Sequence, residues 1–371
     1  MEITSRIILV IALLIWIFLY AIRDSINLKT YFGVFGILRT KVGMRTIEKL
    51  GNYEFWKKLA ILSIPICVII GFFTFSSLID STIKLLSGEL PKEASKPIIF
   101  LFGSVIPWIP GIVGLIVGVT VHELAHGIVA YAFRQQIKST GLLLLLGIPL
   151  GAFVELGEEF KNADKKIRGA IASAGPMANI IVFLAVVLIT PQLYAIPTEL
   201  TITKTYASPA MGVLKEGDVL YSINGEKINS LKDFYNMAKN LKPNEEITIT
   251  VLRGNELKTF NLITSNEGKI GIVVEPSKNL AFVLNCCYWT YWMNLLLGFF
   301  NLLPALPLDG YYVWAAFPRV IRDLKLKIKS LETLVEHISN VLEMILNEKN
   351  LNTISILIWW IIFGSMIYSF I

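Results

Sequence analysis

Histidine and cysteine are both scarce in this sequence, with three of each among 371 residues. The cysteines, Cys67, Cys286 and Cys287, all lie in apolar runs, and adjacent cysteines rarely meet the geometry of a disulfide with each other. That excludes a disulfide framework and a cysteine-built zinc site, and leaves core or lipid-facing thiols. Charge is also sparse. Charged residues make up 17% of the chain against 54% hydrophobic, and the mean hydropathy of +0.62 is too high for soluble domains. The formal net charge of +6 does not argue for nucleic acid, because Lys and Arg beside apolar spans act as topology signals and lipid-headgroup contacts. The expected environment is a lipid bilayer, with no nucleic-acid partner.

What the chain does have is long apolar runs. Stretches able to cross about 30 Å of hydrocarbon occur at Ile7 to Ile22, Leu59 to Ile79, Gly169 to Thr190, Leu280 to Leu308 and Leu351 to Ile371. A sixth lies within Pro97 to Phe133, where Pro107 and Pro110 separate an apolar lead-in from a helix beginning near Ile112. The first run has Arg6 before it but no small-x-small cleavage site after it, so it reads as a span, not a signal peptide. The expected fold is mainly α: a polytopic membrane protein with about six transmembrane helices. Arg23, Lys29, Arg39, Lys41, Arg45, Lys49, Lys57 and Lys58 follow the first span, whereas only Arg6 precedes it, which places this segment in the cytoplasm. Six crossings then put Arg134, Lys165, Lys166, Arg168 and the basic run from Arg319 to Lys329 on the same side, and both termini outside. The stretch from Arg319 to Asn350 reads as an amphipathic helix on the membrane. His337 sits within it, on a solvated face.

One long polar stretch, Pro197 to Lys278, alternates at Ile247, Ile249 and Val251 and carries turn signals at Asn224-Gly225 and Arg253-Gly254-Asn255. It predicts an inserted α+β module. Ser208-Pro209-Ala210, Leu214 to Leu220 and Ile223-Asn224-Gly225 resemble a PDZ domain of the permuted bacterial type, with a departure at Met211-Gly212-Val213. Gly268 to Ile272 is either its peptide-binding loop or an ordinary strand turn. The expected organisation is N-terminal spans and cytoplasmic segment at 1–96, a first half of a membrane core at 97–193, the PDZ-like domain at 197–278, a second half at 280–318, and an amphipathic segment with a final span at 319–371.

The chemistry is carried by Val121-His122-Glu123-Leu124-Ala125-His126-Gly127. Residues four apart share a helix face, so His122 and His126 can offer imidazole nitrogens to one zinc ion, with Glu123 beside them as a general base. Ionisable groups in a span otherwise free of charge are costly, so function is the default explanation. A catalytic zinc takes a third protein ligand. Asp309 is the candidate, following Pro304 and Pro307 at the end of the run from Leu280; the competing reading makes it an interfacial cap.

His-Glu-Leu-Ala-His, followed far downstream by Asn301, Pro304, Leu308, Asp309 and Gly310, resembles the paired signature of site-two proteases, the intramembrane zinc metalloproteases. Gly147 to Val154 and Gly175-Pro176-Met177-Ala178-Asn179 match as well. The resemblance spans about Ile98 to Gly310. It implies one Zn2+ per chain held by His122, His126 and Asp309, Glu123 as catalytic residue, and Asn179 and Asn301 as substrate-binding or oxyanion-stabilising residues. It also implies transmembrane protein substrates, with the PDZ-like domain, open to a peptide or protein ligand, on the non-cytoplasmic side. Gly147 to Val154 lies between cytoplasmic charge clusters, so it cannot cross; it is either a re-entrant hairpin whose edge strand holds unwound substrate or a membrane-dipping turn. Asn179 either bonds between helices or faces the active site. Three other functions compete with an intramembrane endopeptidase. A PDZ-bearing scaffold without catalysis would lack Glu123, and a zinc carrier would need more ligands along a path. A membrane zincin of another family, cutting extended peptides, is disfavoured by Leu308-Asp309-Gly310.

Overall fold

The computed structural model describes residues 2–92, 105–206, 209–323 and 329–368. The apolar lead-in at 97–104, Ser208, part of the basic run at 324–328 and the last three residues fall outside them. In chain order, α1 (Glu2–Ala21) is followed by strands β1 (Leu28–Tyr31) and β2 (Phe35–Thr40), a short α2 (Met44–Gly51), and the long helices α3 (Phe55–Leu86) and α4 (Trp108–Ala132). A hairpin of β3 (Ile137–Leu145) and β4 (Ile148–Leu156), a turn of helix α5 (Glu159–Asn162) and the long α6 (Lys165–Leu193) come next. The polar insert contributes β5 (Leu200–Thr205), β6 (Val219–Ile223), β7 (Glu226–Lys227), α7 (Leu231–Asn240), β8 (Glu246–Arg253), β9 (Glu256–Ile263) and β10 (Ile272–Glu275). The chain ends with α8 (Lys278–Phe300), α9 (Asp309–Arg322), α10 (Lys329–Ile345) and α11 (Glu348–Tyr368).

Among the described residues, five helices are long and apolar enough to cross a membrane: α3, α4, α6, α8 and α11. They are helical because hydrocarbon offers no water to an unpaired backbone group, so each segment must close its own hydrogen bonds. The sixth expected run, Ile7 to Ile22, falls in α1. There the apolar helix is the shorter Val10–Ala21. The run to Leu308 also ends earlier than expected, α8 stopping at Phe300.

The chain divides into two units, one of Met1–Phe183 with Trp289–Ile371 and the other Leu184–Tyr288. In the first, Ala60, Ile64, Cys67 and Val68 of α3 form a buried core with Val129 and Ala130 of α4, Ala170 to Ala172 of α6, and Val313 and Ala316 of α9. The side chains at this core are small, which lets helix backbones approach closely where apolar lipid gives no driving force for association. α9 runs through Pro318 to Arg322, across the boundary expected at 318, and His337 lies exposed on α10.

The same unit contains an antiparallel sheet in the order β1-β2-β3-β4. The expected hairpin at Gly147 to Val154 is thus the outer half of a larger structure. The leucine run from Leu142 is itself strand, and the basic segment after α1 supplies two more strands. Alternation was hidden because leucines occupy both faces of β3. The β3–β4 turn is Leu146-Gly147, both with positive φ (48° and 82°), the geometry that matches the twist of a two-residue hairpin. Pro149 lies in β4, an edge strand where a missing N–H is tolerated. Trp16 of α1 packs with Leu28 and Leu144 against one face of the sheet, and its indole N–H donates to the Gly33 carbonyl at 3.0 Å.

In the second unit the strands run β10-β5-β6-β8-β9, all antiparallel, with β7 on β6. Ile247, Ile249 and Val251 are buried while Glu246, Thr248 and Thr250 are not, as period-two alternation demands. Asn224 and Gly225, both at positive φ, make the β6–β7 turn, and Ser230 caps α7 by accepting from the Asp233 amide. Gly268 to Ile272 leads into β10, at one edge of the sheet.

Candidate metal centre

His122, Glu123 and His126 lie on α4, and the four-residue spacing puts both imidazoles on one face. Their ring centroids are 4.7 Å apart at 82°. Ligand atoms of His122, Glu123 and His126 all fall within 4.8 Å of one another. Measured along the helix, His122 is about 21 Å from the start of α4 and about 15 Å from its end.

Asp309 reaches this face through a break in the chain. Pro304 and Pro307 cannot continue α8, so residues 301–308 turn back as irregular backbone, and α9 begins at Asp309. Neighbours satisfy that backbone, as buried irregular segments require. The Gly310 amide donates to the Asn301 carbonyl at 2.6 Å and the Leu308 amide to Ala305 at 2.7 Å. From α11, Ser355 Oγ accepts from the Leu306 amide and Trp359 donates to the Leu306 carbonyl. A Cβ at position 310 would collide with the carbonyls of Leu302 and Leu303, which is why glycine follows the aspartate.

Asp309 Oδ2 then lies 3.0 Å from His122 Nε2 and 3.2 Å from His126 Nε2. Both imidazoles are held from behind. His122 Nδ1 is 2.5 Å from Asn179 Oδ1, and His126 Nδ1 is 2.7 Å from the Ile171 carbonyl, both on α6. An acceptor behind each Nδ1 favours a proton there, the tautomer that leaves each Nε2 able to ligate a metal. Two neutral imidazoles and a carboxylate converging in this way are a donor set suited to zinc, and the residues present fit the ion. Gly175 of α6 keeps the space open: a Cβ there would meet His126 Nε2, and lie 2.7 Å from His122 Nε2.

Asn179 is fully buried and its amide is fully engaged. Its Nδ2 donates to the Gly118 carbonyl and to Asn294 Oδ1, each at 2.9 Å, and Asn294 Nδ2 donates to the Thr290 carbonyl at 2.8 Å. With both N–H groups taken, Asn179 bonds between helices and orients His122. Asn301 is half-buried in the turn after α8, and its side chain has no hydrogen bond among the described residues.

Glu123 Oε2 accepts from the backbone N–H of Val154 at 3.1 Å, so edge strand β4 lies directly beside the glutamate. Three contributors escaped the sequence reading. The Val154 amide and the Ile171 carbonyl are backbone groups and leave no trace in residue type. Asn294 did leave a signal, as a polar residue in the middle of an apolar run.

The sequence is similar to the uncharacterized protein MJ0971 of Methanocaldococcus jannaschii, 57% identical over 366 residues, which cover 99% of this chain and 98% of the relative. The model of peptidase family M50 matches residues 110–346, a stretch that begins with α4 and includes both the histidine pair and Asp309. The chain therefore belongs to peptidase family M50, the site-two protease family of zinc metalloproteases.

Proposed function

We propose that this protein is an intramembrane zinc metalloendopeptidase that hydrolyses peptide bonds in or near transmembrane helices of substrate proteins. The observation that carries this reading is the convergence of His122 Nε2 and His126 Nε2 on Asp309 Oδ2 with Glu123 alongside. One zinc ion per chain would be held by these two histidines and the aspartate. When bound, it supplies a Lewis acid that polarises a peptide carbonyl and makes water nucleophilic near neutral pH.

The residues of the chain do the rest. Asn179 and Ile171 keep the imidazoles in the ligating tautomer. Val154 steadies one carboxylate oxygen of Glu123 and leaves the other for proton transfer. Glu123 takes a proton from the attacking water as its oxygen bonds to the carbonyl carbon, then returns it to the amine as the C–N bond breaks. A helical peptide bond is closed to this chemistry, because its carbonyl is engaged four residues on. The scissile segment must unwind, and edge strand β4 offers main-chain partners to an extended substrate beside Glu123.

The positions of Lys and Arg support a topology in which the segment after α1, the β3–α6 region and the start of α10 face the cytoplasm. α1 then counts as a sixth crossing. The insert lies on the opposite side, and we read it as a PDZ-like module with β10 as the edge open to a peptide. The test is cleavage of a panel of single-span helices by purified, zinc-loaded protein. Glu123→Gln should retain about one zinc per chain and yield no product, since an amide cannot accept the water proton. Product above about one per cent of the wild-type rate would remove Glu123 from the reaction.

A further inference from the structure

Where α1 gives way to the sheet, a cavity of about 570 Å³ is lined by Arg23, Lys29, Arg39, Lys41 and Lys138, with Asp24 as the single acidic residue in its wall. The strand register explains the convergence. Lys29 pairs with Ile37, and Arg39 lies two residues further along β2, so both side chains leave the same face. Arg39 uses its Nε on Glu155 at 3.0 Å, and Lys138 lies 3.6 Å from Glu158. Arg39 Nη1 remains buried without a partner, and Lys29 and Lys41 have no ion pair among the described residues. Arg23 lies 3.8 Å from Asp24, so the charges left to be answered are those of Lys29 and Lys41, together with a buried guanidinium nitrogen that lacks an acceptor. A phosphate oxygen answers both.

The surroundings say which kind of phosphate. α1 ends at Ala21, two residues before Arg23 of this wall, and leaves Val10, Ile11, Leu14, Ile17 and Phe18 each at least 50% exposed. That is an apolar wall about 20 Å long from Val10 to Arg23, comparable to an acyl chain. At the far end of the same two strands, Phe32 is 94% exposed and Tyr31 49%. The apolar tip at Phe35 and the basic base at Arg39 are about 13 Å apart along β2, the spacing between headgroup level and the acyl region. A soluble anion would need the cations but neither the bare wall of α1 nor the exposed aromatic tip.

We propose that this cavity binds the phosphate of an anionic membrane lipid, whose acyl chains lie along the exposed side of α1. The site sits on the strands next to the candidate catalytic carboxylate: Lys138 is on β3, which pairs with β4, and β4 supplies the Val154 amide to Glu123. It does not depend on the protease reading.

The test uses the full-length protein in phosphatidylcholine nanodiscs, titrated with phosphatidylglycerol, with retained lipid counted by native mass spectrometry. Wild type should retain phosphatidylglycerol in preference to phosphatidylcholine. Lys29→Gln/Lys41→Gln/Lys138→Gln should bind it roughly a hundredfold more weakly, each charge near a membrane surface contributing about fivefold. The same three positions as Lys→Arg should keep binding within about twofold, since the charge is retained. A control of equal charge loss in the insert, Lys204→Gln/Lys239→Gln/Lys258→Gln, should bind as wild type does. Equal weakening in the control and cavity variants would reduce the effect to general electrostatics and overturn the site. Displacement of the lipid by an equal concentration of inorganic phosphate would assign the cavity to a free anion and overturn the lipid. Retention of phosphatidylglycerol no better than phosphatidylcholine by wild type would overturn both.

Discussion

Asn179 touches no substrate in the proposed reaction, yet removing it should weaken zinc binding. In Asn179→Ala the His122 Nδ1–H loses its acceptor at 2.5 Å inside a fully buried site. A buried donor left unpartnered costs about 1–3 kcal/mol, and loss of an outer partner of a metal-bound histidine typically costs about 10- to 100-fold in metal affinity, or roughly 1.4–2.7 kcal/mol. The two estimates agree. The expected result is therefore a zinc dissociation constant raised about 10- to 100-fold, with cleavage recovering as zinc is added. Asn294→Leu leaves the histidine bond in place and removes one of the two acceptors of Asn179 Nδ2. Its effect should be smaller, less than about tenfold. In the Asn179→Ala background it should add nothing, because the two asparagines act on His122 through one chain of bonds. Chelator competition on detergent-solubilised protein measures all four corners of the cycle, with thermal unfolding to show that each variant is folded. Wild-type zinc affinity in Asn179→Ala, or full additivity in the double variant, would refute the positioning role.

Three further outcomes are expected. Asp309→Ala should lower zinc affinity by at least about a hundredfold along with activity, by loss of one of three ligands; full zinc occupancy in metal analysis would place the third ligand elsewhere. Val154→Pro removes the N–H that Glu123 accepts from while sparing the ladder, because β4 is an edge strand that already tolerates Pro149. The turnover rate should fall about tenfold or more with zinc content unchanged, and an unchanged rate would show that Glu123 needs no such support. In the insert, burial works to raise the Asp218 carboxyl, but the Arg253 guanidinium and the Lys215 amide outweigh it and hold it below the usual carboxylate range. A depressed folded-state value means that the stabilisation is present above the unfolded value of about 4 and is lost as pH falls below it. Hydrogen exchange in β6 and β8 should accelerate below about pH 4, and Asp218→Asn should abolish that dependence while destabilising the insert by about 2 kcal/mol.

Much of the site was legible before any coordinates. A four-residue histidine spacing on a helix means the same face wherever the helix lies, so His122, Glu123 and His126 could be grouped from order alone. The helices of the membrane core were legible for a related reason, since hydrocarbon leaves an apolar run almost no other way to satisfy its backbone. The alternation at Ile247, Ile249 and Val251 likewise marked a half-buried strand. Local rules fail where the determining contact is distant in sequence. Asp309 read equally as a cap or a ligand in the sequence, and only the turn at 301–308 brings it, 187 residues on, against His122. Asn179 read as facing either the active site or a neighbouring helix, and its folded position does both, with Oδ1 on His122 and its N–H groups on Gly118 and Asn294. Strands β1 and β2 were read as part of a basic cytoplasmic segment, because a strand on the polar side of a sheet shows its purpose only when its partner is known. Residue types and their spacing determined which chemistry this protein can perform. The tertiary structure alone decided which groups hold those residues in place, because hydrogen bonds from backbone carbonyls and amides depend on position and leave no mark in the sequence.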